Sequence, residues 1–215
     1  MKIIKNISMA AILLSTATTV YATAPGFYLG AMVGPSNIHA KTMDIEINDI
    51  PPIFETVKPT STGFGERAFA GYQLNPYAGF EMGFTHYGSA EYKVQSFCNN
   101  PLLRENAIDV VGKLMFPFST SGFDVFGKGG FAVVRSSQSS SLTSSTLSDC
   151  GGNNANTTSV RPTASLGASY DITQAWVADL SYNHIFGGSG IQNVDFVALG
   201  ISYHFVDLYC GQFLC

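Results

Sequence analysis

Charge is scarce in this chain. Only 12% of its 215 residues are Asp, Glu, Lys or Arg, against 46% hydrophobic, where a soluble domain carries roughly 25% charged residues. Yet no run of eighteen apolar residues occurs, so a membrane-crossing helix is excluded. Bases are fewer than acids, 11 against 15, and the formal net charge of −4 argues against nucleic acid as a partner. Histidine is limited to His39, His86, His184 and His204, which show no metal-ligand spacing. No metal and no cofactor are expected. His184 and Ser181 have opposite strand parity, so a serine–histidine catalytic pair is not expected either.

What the chain does have is alternation. From Val197 to Phe205, Val197, Leu199, Ile201, Tyr203 and Phe205 share one parity, and Ala198, Gly200, Ser202 and His204 share the other. Side chains on a strand point alternately to opposite faces, so one face is greasy and ends in two aromatics. Eight such stretches occur: Phe27 to Val33, Gly65 to Leu74, Tyr77 to Tyr87, Ile108 to Phe116, Phe123 to Val134, Arg161 to Tyr170, Trp176 to Phe186 and Val194 to Phe205. Most are near the roughly 9–11 residues that a tilted strand needs to cross hydrocarbon. Their connections alternate as well. Asn75-Pro76, Pro117 to Gly122 and Asp171 to Gln174 are short, Pro35 to Thr62, Gly88 to Ala107 and Arg135 to Val160 are long, and Gly187 to Asn193 is intermediate. The expected fold is all-β, an eight-stranded antiparallel up-and-down transmembrane barrel with short periplasmic turns and long extracellular loops. Glycines inside the strands, Gly71, Gly83 and Gly112 among them, relieve crowding in so narrow a barrel.

Lys2 and Lys5 precede an apolar run, Met9 to Leu14, and a small-residue stretch ending at Ala22. That order is that of a secretory signal peptide, so residues 1–22 are expected to be removed. The alternative is a buried N-terminal helix. Residues 23–205 are expected to form the barrel, and residues 206–215 a periplasmic tail.

The run from Gly71 to Phe84, GYQLNPYAGFEMGF, resembles the second hairpin of the OmpA-like outer-membrane barrels. Gly26 to Gly34 is similar to that family's first strand, and Gly200 to Phe205 to its last. The resemblance covers about residues 24–205 and implies an eight-stranded barrel in the outer membrane of a Gram-negative bacterium. The best-known members add a periplasmic domain that binds peptidoglycan. The sequence ends ten residues after Phe205, and no such domain is expected here.

Parity assigns an interior. Arg67, Lys113, Lys128 and Arg161 face inward, with Glu81, Asp109, Asp124 and Asp179. A barrel of eight strands has room for little beyond its own side chains, so these charges must pair. By resemblance, Glu81 and Lys113 occupy the family's gate-like positions, while Ser169 and Asp179 stand where the family has an acid and a base. Asp179 is then free to pair with Lys128 or Lys113. The set reads either as a gate for small solutes or as a static polar core.

Four cysteines allow three pairings. Cys98 and Cys150 fall in long loops and Cys210 and Cys215 in the tail, so the membrane leaves Cys98–Cys150 and Cys210–Cys215 as the pairings open within one barrel. Four free thiols, or a bridge between two chains, are the alternatives. The long stretch Ser136 to Ser159 is rich in Ser, Thr, Asn and Gly and reads as a mobile loop. The first long loop is different. It carries Met43, Ile45, Ile47, Ile50, Ile53 and Phe54, and Ile45 and Ile47 alternate with Asp44 and Glu46 as in a strand extending beyond the bilayer. Apolar side chains in a loop suggest a binding surface, or packing against neighbouring loops.

The expected function is non-enzymatic: a monomeric barrel in outer-membrane lipid that supports envelope integrity and contacts host or envelope proteins through its loops. A narrow gated pore and a lipid-modifying enzyme are the alternatives.

Overall fold

The computed structural model describes residues 25–40, 42–47, 53–57, 59–92, 102–118, 121–139, 155–188 and 190–205. The expected signal segment 1–22, the expected tail 206–215, Ile50 and all four cysteines lie outside the described residues, as do the side chains of Met43, Ile45, Ile47, Ile53 and Phe54.

Eight long strands are β1 (Gly26–Ile38), β2 (Thr62–Asn75), β3 (Ala78–His86), β4 (Leu102–Pro117), β5 (Phe123–Ser139), β6 (Ala155–Asp171), β7 (Trp176–Ile185) and β8 (Val194–His204). Each is antiparallel to its sequence neighbours, and β1 also pairs with β8. The ladder therefore closes and has no edge, which lipid requires because it offers the backbone no hydrogen-bond partner. Directly opposed residues run from Val33 through Glu66, His86, Asn106 and Arg135 to Thr158. Followed the other way, through Leu199 and Leu180, the row arrives on β6 at Ala168, ten residues away. Eight strands with a stagger of ten lean by roughly 40° and place the wall roughly 8 Å from the axis.

The outward face is apolar, with Leu29, Val33, Phe80, Met82, Ile108, Val110, Leu114, Leu166, Leu180, Leu199 and Ile201 all exposed. On β5 the apolar positions run from Phe123 to Val133, eleven residues, which at that tilt is roughly the 25 Å height of a barrel's lipid-facing band. Aromatic rings line the band's periplasmic edge and touch one another: Phe27 on Tyr72 at 4.7 Å, Tyr72 on Phe80 at 5.9 Å, Trp176 on Tyr203 at 5.0 Å and Tyr203 on Phe205 at 5.1 Å. Phe64, Phe84, Phe131, Tyr182 and Phe186 are exposed toward the other edge. Such paired girdles sit at headgroup level.

The strands are longer than their lipid-facing pattern. β4 begins at Leu102 instead of Ile108, β5 continues to Ser139, and β6 begins at Ala155. Part of the expected mobile loop is thus strand. Apolar alternation records contact with lipid, and it stops at the hydrocarbon edge, whereas backbone pairing carries on into water. The first long loop also differs from expectation. Met43–Ile47 is a strand, but it pairs with Ile53–Val57 in a separate two-stranded sheet and does not continue a barrel strand.

Arginine at Leu199, which is 62% exposed on the lipid face, should impair assembly, since a charge at the bilayer midplane of a barrel exterior costs roughly 2–4 kcal/mol. Arginine at Ser202, buried on the opposite face, should be milder. Heat-modifiability of the two variants on gels of isolated outer membranes measures this, and equal assembly would contradict the assigned faces.

Candidate functional site in the barrel interior

Glu81 is the centre of the interior. It projects inward from mid β3 and is completely buried. Lys128 from β5 donates to both of its carboxylate oxygens, at 2.9 and 2.8 Å. Arg67 from β2 donates at 2.9 Å, and the Tyr28 hydroxyl of β1 donates at 3.3 Å. Arg67 also forms a two-pronged pair with Asp109 of β4, one of its contacts being 2.9 Å, and donates to Thr85 at 3.1 Å. Four consecutive strands and β1 are tied through these groups.

A second, looser pair lies beside the first. The Lys113 ammonium is 4.0 Å from Asp179, which accepts a hydrogen bond from Ser202 at 3.3 Å. Both lysines lie against rings. Lys113 is 4.6 Å from the Phe126 centroid and 5.6 Å from that of Tyr28, and Lys128 is 5.0 Å from Phe126 and 5.4 Å from Phe69. Tyr28 in turn stacks on His204 at 4.7 Å. Two glycines make the arrangement possible. A Cβ on Gly71 would strike the Tyr28 ring, and one on Gly83 would strike the Arg67 guanidinium.

The structure thus brings together Arg67, Glu81, Asp109, Lys113, Lys128 and Asp179, three bases and three acids. Arg161 and Asp124 do not join them. Arg161 is half-buried beside Gly188 near the extracellular end, and Asp124 is half-buried opposite Pro117 near the periplasmic end.

Above this cluster the lumen changes character. Ile38, Tyr87, Ala90, Ala107, Val134, Ile185, Ile191, Val194 and Phe196 form a buried apolar stopper. Ile191 comes from the connection between β7 and β8, which folds back over the mouth through the Gly188–Ile191 bridge. Within the stopper sits Glu105, fully buried and with no cation against it among the described residues. It lies beyond the hydrocarbon band, because the outward residues flanking it on β4, Arg104 and Asn106, are polar. Burial pushes its carboxyl up to about 7, and the nearby Gln192 N–H and Ser136 hydroxyl offset this only in part. Neither is aligned well enough to satisfy the carboxylate oxygens as a full hydrogen bond.

Parity holds the signal for Tyr28, Thr85, Ser202 and His204, but each is the unremarkable neighbour of an outward apolar residue and does not stand out in the sequence. Glu105 is invisible to a reading that starts β4 at Ile108. A polar group on the outer surface at the top of β7 and β8 lies, His39 apart, within the expected strands, but nothing in the alternation marks its members as neighbours. There Asp195 accepts from Tyr182 at 2.5 Å and contacts His39 and His184 at 2.5 and 2.6 Å. Partial burial disfavours its ionisation, but the bonds from His184, Tyr182 and His39 prevail and hold the carboxyl at about 2.

A closed eight-stranded barrel with this interior can be set beside known proteins. The sequence profile of the OmpA-like transmembrane domain matches residues 22–208. The chain belongs to the OmpA-like transmembrane domain family. Outer membrane protein A of Escherichia coli O157:H7 is 31% identical over 206 residues, covering 91% of this chain and 53% of that protein. The chain therefore spans about half the length of that relative. Among solved structures, Neisserial surface protein A matches with a TM-score of 0.55 at 17% identity, covering 84% of this chain and 97% of that one. OprG from Pseudomonas aeruginosa matches with a TM-score of 0.54 at 10% identity, covering 86% and 98%. These two show the shared fold. The protein is thus an outer-membrane barrel. Within this OmpA-like barrel, Ser169 faces Asp179 directly across the β6–β7 ladder, and both are buried. The acid at 179 has its cation across the lumen on β4, not on the neighbouring strand.

Glu81→Gln strips Lys128 of its carboxylate partner and leaves Arg67 with Asp109 alone, so urea unfolding in lipid vesicles should show a loss of roughly 3–5 kcal/mol. Tyr28→Phe removes one longer bond and should cost about 1 kcal/mol. Comparable stability of Glu81→Gln and wild type would contradict a central role for the pair.

The Glu105 carboxyl lies above its ordinary value of 4.5, so its contribution to stability is fully present below that value and is lost as pH rises through about 7. The gap in stability between wild type and Glu105→Gln should therefore shift in the variant's favour between pH 5 and pH 8. A pH-independent gap in urea titrations would refute the buried, uncompensated carboxyl.

Proposed function

We propose that this OmpA-like barrel is a non-enzymatic envelope protein, which supports outer-membrane integrity and makes surface contacts through its extracellular loops. One observation carries the reading: the lumen is filled at two levels, by the ion-paired cluster around Glu81 and by the apolar stopper around Phe196. A filled barrel invests its sequence in the wall and the loops. β4, β5 and β6 continue beyond the lipid-facing band, and the 43–57 hairpin adds a strand pair whose sequence is rich in isoleucine. The loop residues Met43, Ile45, Ile47, Ile50, Ile53 and Phe54 are the proposed contact elements. A host or envelope protein is the partner class that their apolar chemistry suits.

A second reading, a narrow gated pore, is favoured by the looseness of one pair. Lys113 at 4.0 Å from Asp179 could exchange toward Glu81, which already attracts it, and open the lower lumen while leaving Asp179 with its Ser202 hydrogen bond.

Planar-bilayer recording separates the two. The envelope reading expects no steady conductance from wild-type protein. A large steady conductance, unchanged by Glu81→Gln, would replace it with a porin role. Deleting residues 43–57 tests the loops. The barrel should still assemble, and cell-surface adhesion should fall while resistance of the envelope to detergent stays at the wild-type level. Adhesion unaffected by the deletion would remove this hairpin from the contact surface.

A further inference from the structure

Near its extracellular edge the outward face carries a ring of polar residues, with the girdle rings Phe64 and Phe186 still lying one outward position above it on β2 and just past β7. Read around the extracellular edge, the boundary positions are Asn37, Glu66, His86, Asn106, Arg135, Thr158, His184 and Asp195. Charge is not spread evenly along this ring. On one side Asp195 gathers His39, His184 and Tyr182. On the other, Arg135 stands at the boundary of β5, and Arg104 stands one outward position higher on β4.

These two arginines are unusual for this chain. They are the only outward-facing Lys or Arg among the described residues. The short connections at the opposite end, Asn75 to Tyr77, Pro117 to Gly122 and Asp171 to Ala175, contain no Lys or Arg at all. Both arginines are exposed, and among the described residues neither has an ion-pair partner. Their direct cross-strand neighbours are neutral: Arg104 faces Ser137, and Arg135 faces Asn106 and Thr158. Since Arg104 lies opposite Ser137, two positions from Arg135, the pair are diagonal neighbours roughly 7–8 Å apart. Two guanidinium forks at that spacing can close on one tetrahedral anion. Asn106 sits between them, held by His86 at 2.5 Å. The nearest outward acid is Glu91, on the short strand Ala90–Tyr92 opposite Leu102 and diagonal to Arg104, with an interaction of its own; beside Arg135 the next one along the row, Glu66, is two strands from Asn106. Directly beneath, Ile108, Val110, Phe131, Val133 and Val160 are exposed to lipid.

We propose that Arg104 and Arg135 bind a phosphate of a phosphorylated glycolipid in the outer leaflet, with Asn106 as a polar contact and the apolar residues below taking its acyl chains. The proposal rests on the barrel's seat in the outer membrane, and not on the loop role. Position and charge both favour this occupant. A cationic pair at the edge of the hydrocarbon meets lipid phosphate at its natural depth, whereas a soluble polyanion would have no use for the apolar surface beneath. Arginine suits the task because its planar fork pairs with two phosphate oxygens and stays charged at any physiological pH. In a net-acidic protein among anionic headgroups, the pair takes the place of a bridging divalent cation.

The experiment is native mass spectrometry of the full, folded barrel in detergent, titrated with bis-phosphorylated lipid A and with its dephosphorylated form. Wild type should hold one phosphorylated lipid. Arg104→Gln/Arg135→Gln should bind it about tenfold more weakly, as expected for losing two charge-assisted phosphate contacts, and should match the wild-type affinity for dephosphorylated lipid. Millimolar inorganic phosphate should not displace the lipid, because it lacks the chains. Arg104→Lys/Arg135→Lys, which keeps the charge and loses the fork, should fall between. If the glutamine variant fails to show the heat-modifiable folded form, the lysine variant carries the comparison. Equal retention of phosphorylated lipid by wild type and the folded variants would overturn the proposal. So would equal wild-type binding of the two lipids, displacement by free phosphate, or retention of a sulfated oligosaccharide in preference to lipid.

Discussion

A peptide group in hydrocarbon has nothing to bond to but another peptide group. That constraint closes the sheet, and closure governs most of the barrel's construction. With eight strands and a stagger of ten, the lumen is only wide enough for its own side chains. Every inward residue must then find its partners across that lumen. Charges admitted there have to be matched with opposite charges on other strands, as Lys128 of β5 is with Glu81 of β3 and Lys113 of β4 is with Asp179 of β7.

The matching has a graded character. Glu81 receives two cations and a hydroxyl, while Asp179 receives a hydroxyl and a distant ammonium. Arg67 spans two acids, so its loss would break both connections at once. Aromatic faces supply the rest of the lysines' surroundings, which is how a narrow lumen accommodates ammonium groups with too few carboxylates near them. Higher in the barrel the matching ends and apolar packing takes over. A lone carboxyl remains there, at the level where the β7–β8 connection folds in.

Much of this architecture is legible in the sequence. Strand count, order and the two faces follow from period-two alternation, because lipid on one side and a filled lumen on the other enforce it at every position. The inward parity of Arg67, Glu81, Asp109, Lys113, Lys128 and Asp179 is legible for the same reason. Which of them touch is not. Contact depends on the stagger and on where along each strand a residue sits, and a strand's alternation carries no mark of its height. Arg161 and Asp124 show this plainly, since they share the parity of the central set and lie at opposite ends of the barrel. Strand ends are obscured at the upper edge, where β4 to β6 continue in water and the apolar signal has stopped. Glu105 falls into that blind zone, whereas Asp195, Tyr182 and His184 lie within strands the alternation does mark and are hidden because alternation does not record cross-strand contact.

The continuation of β4, β5 and β6 gives the barrel a tall side and a low side. Around the rim, the tall side bears the arginines and the low side bears the aspartate with its histidines. A cylinder in a fluid bilayer is free to spin about its axis, and a uniform one would present the same wall to any neighbour. This one has a heading. Lipids, other barrels and anything arriving from outside meet a different height and a different charge according to the direction of approach, so crowding in a membrane would sort its contacts by angle as well as by distance.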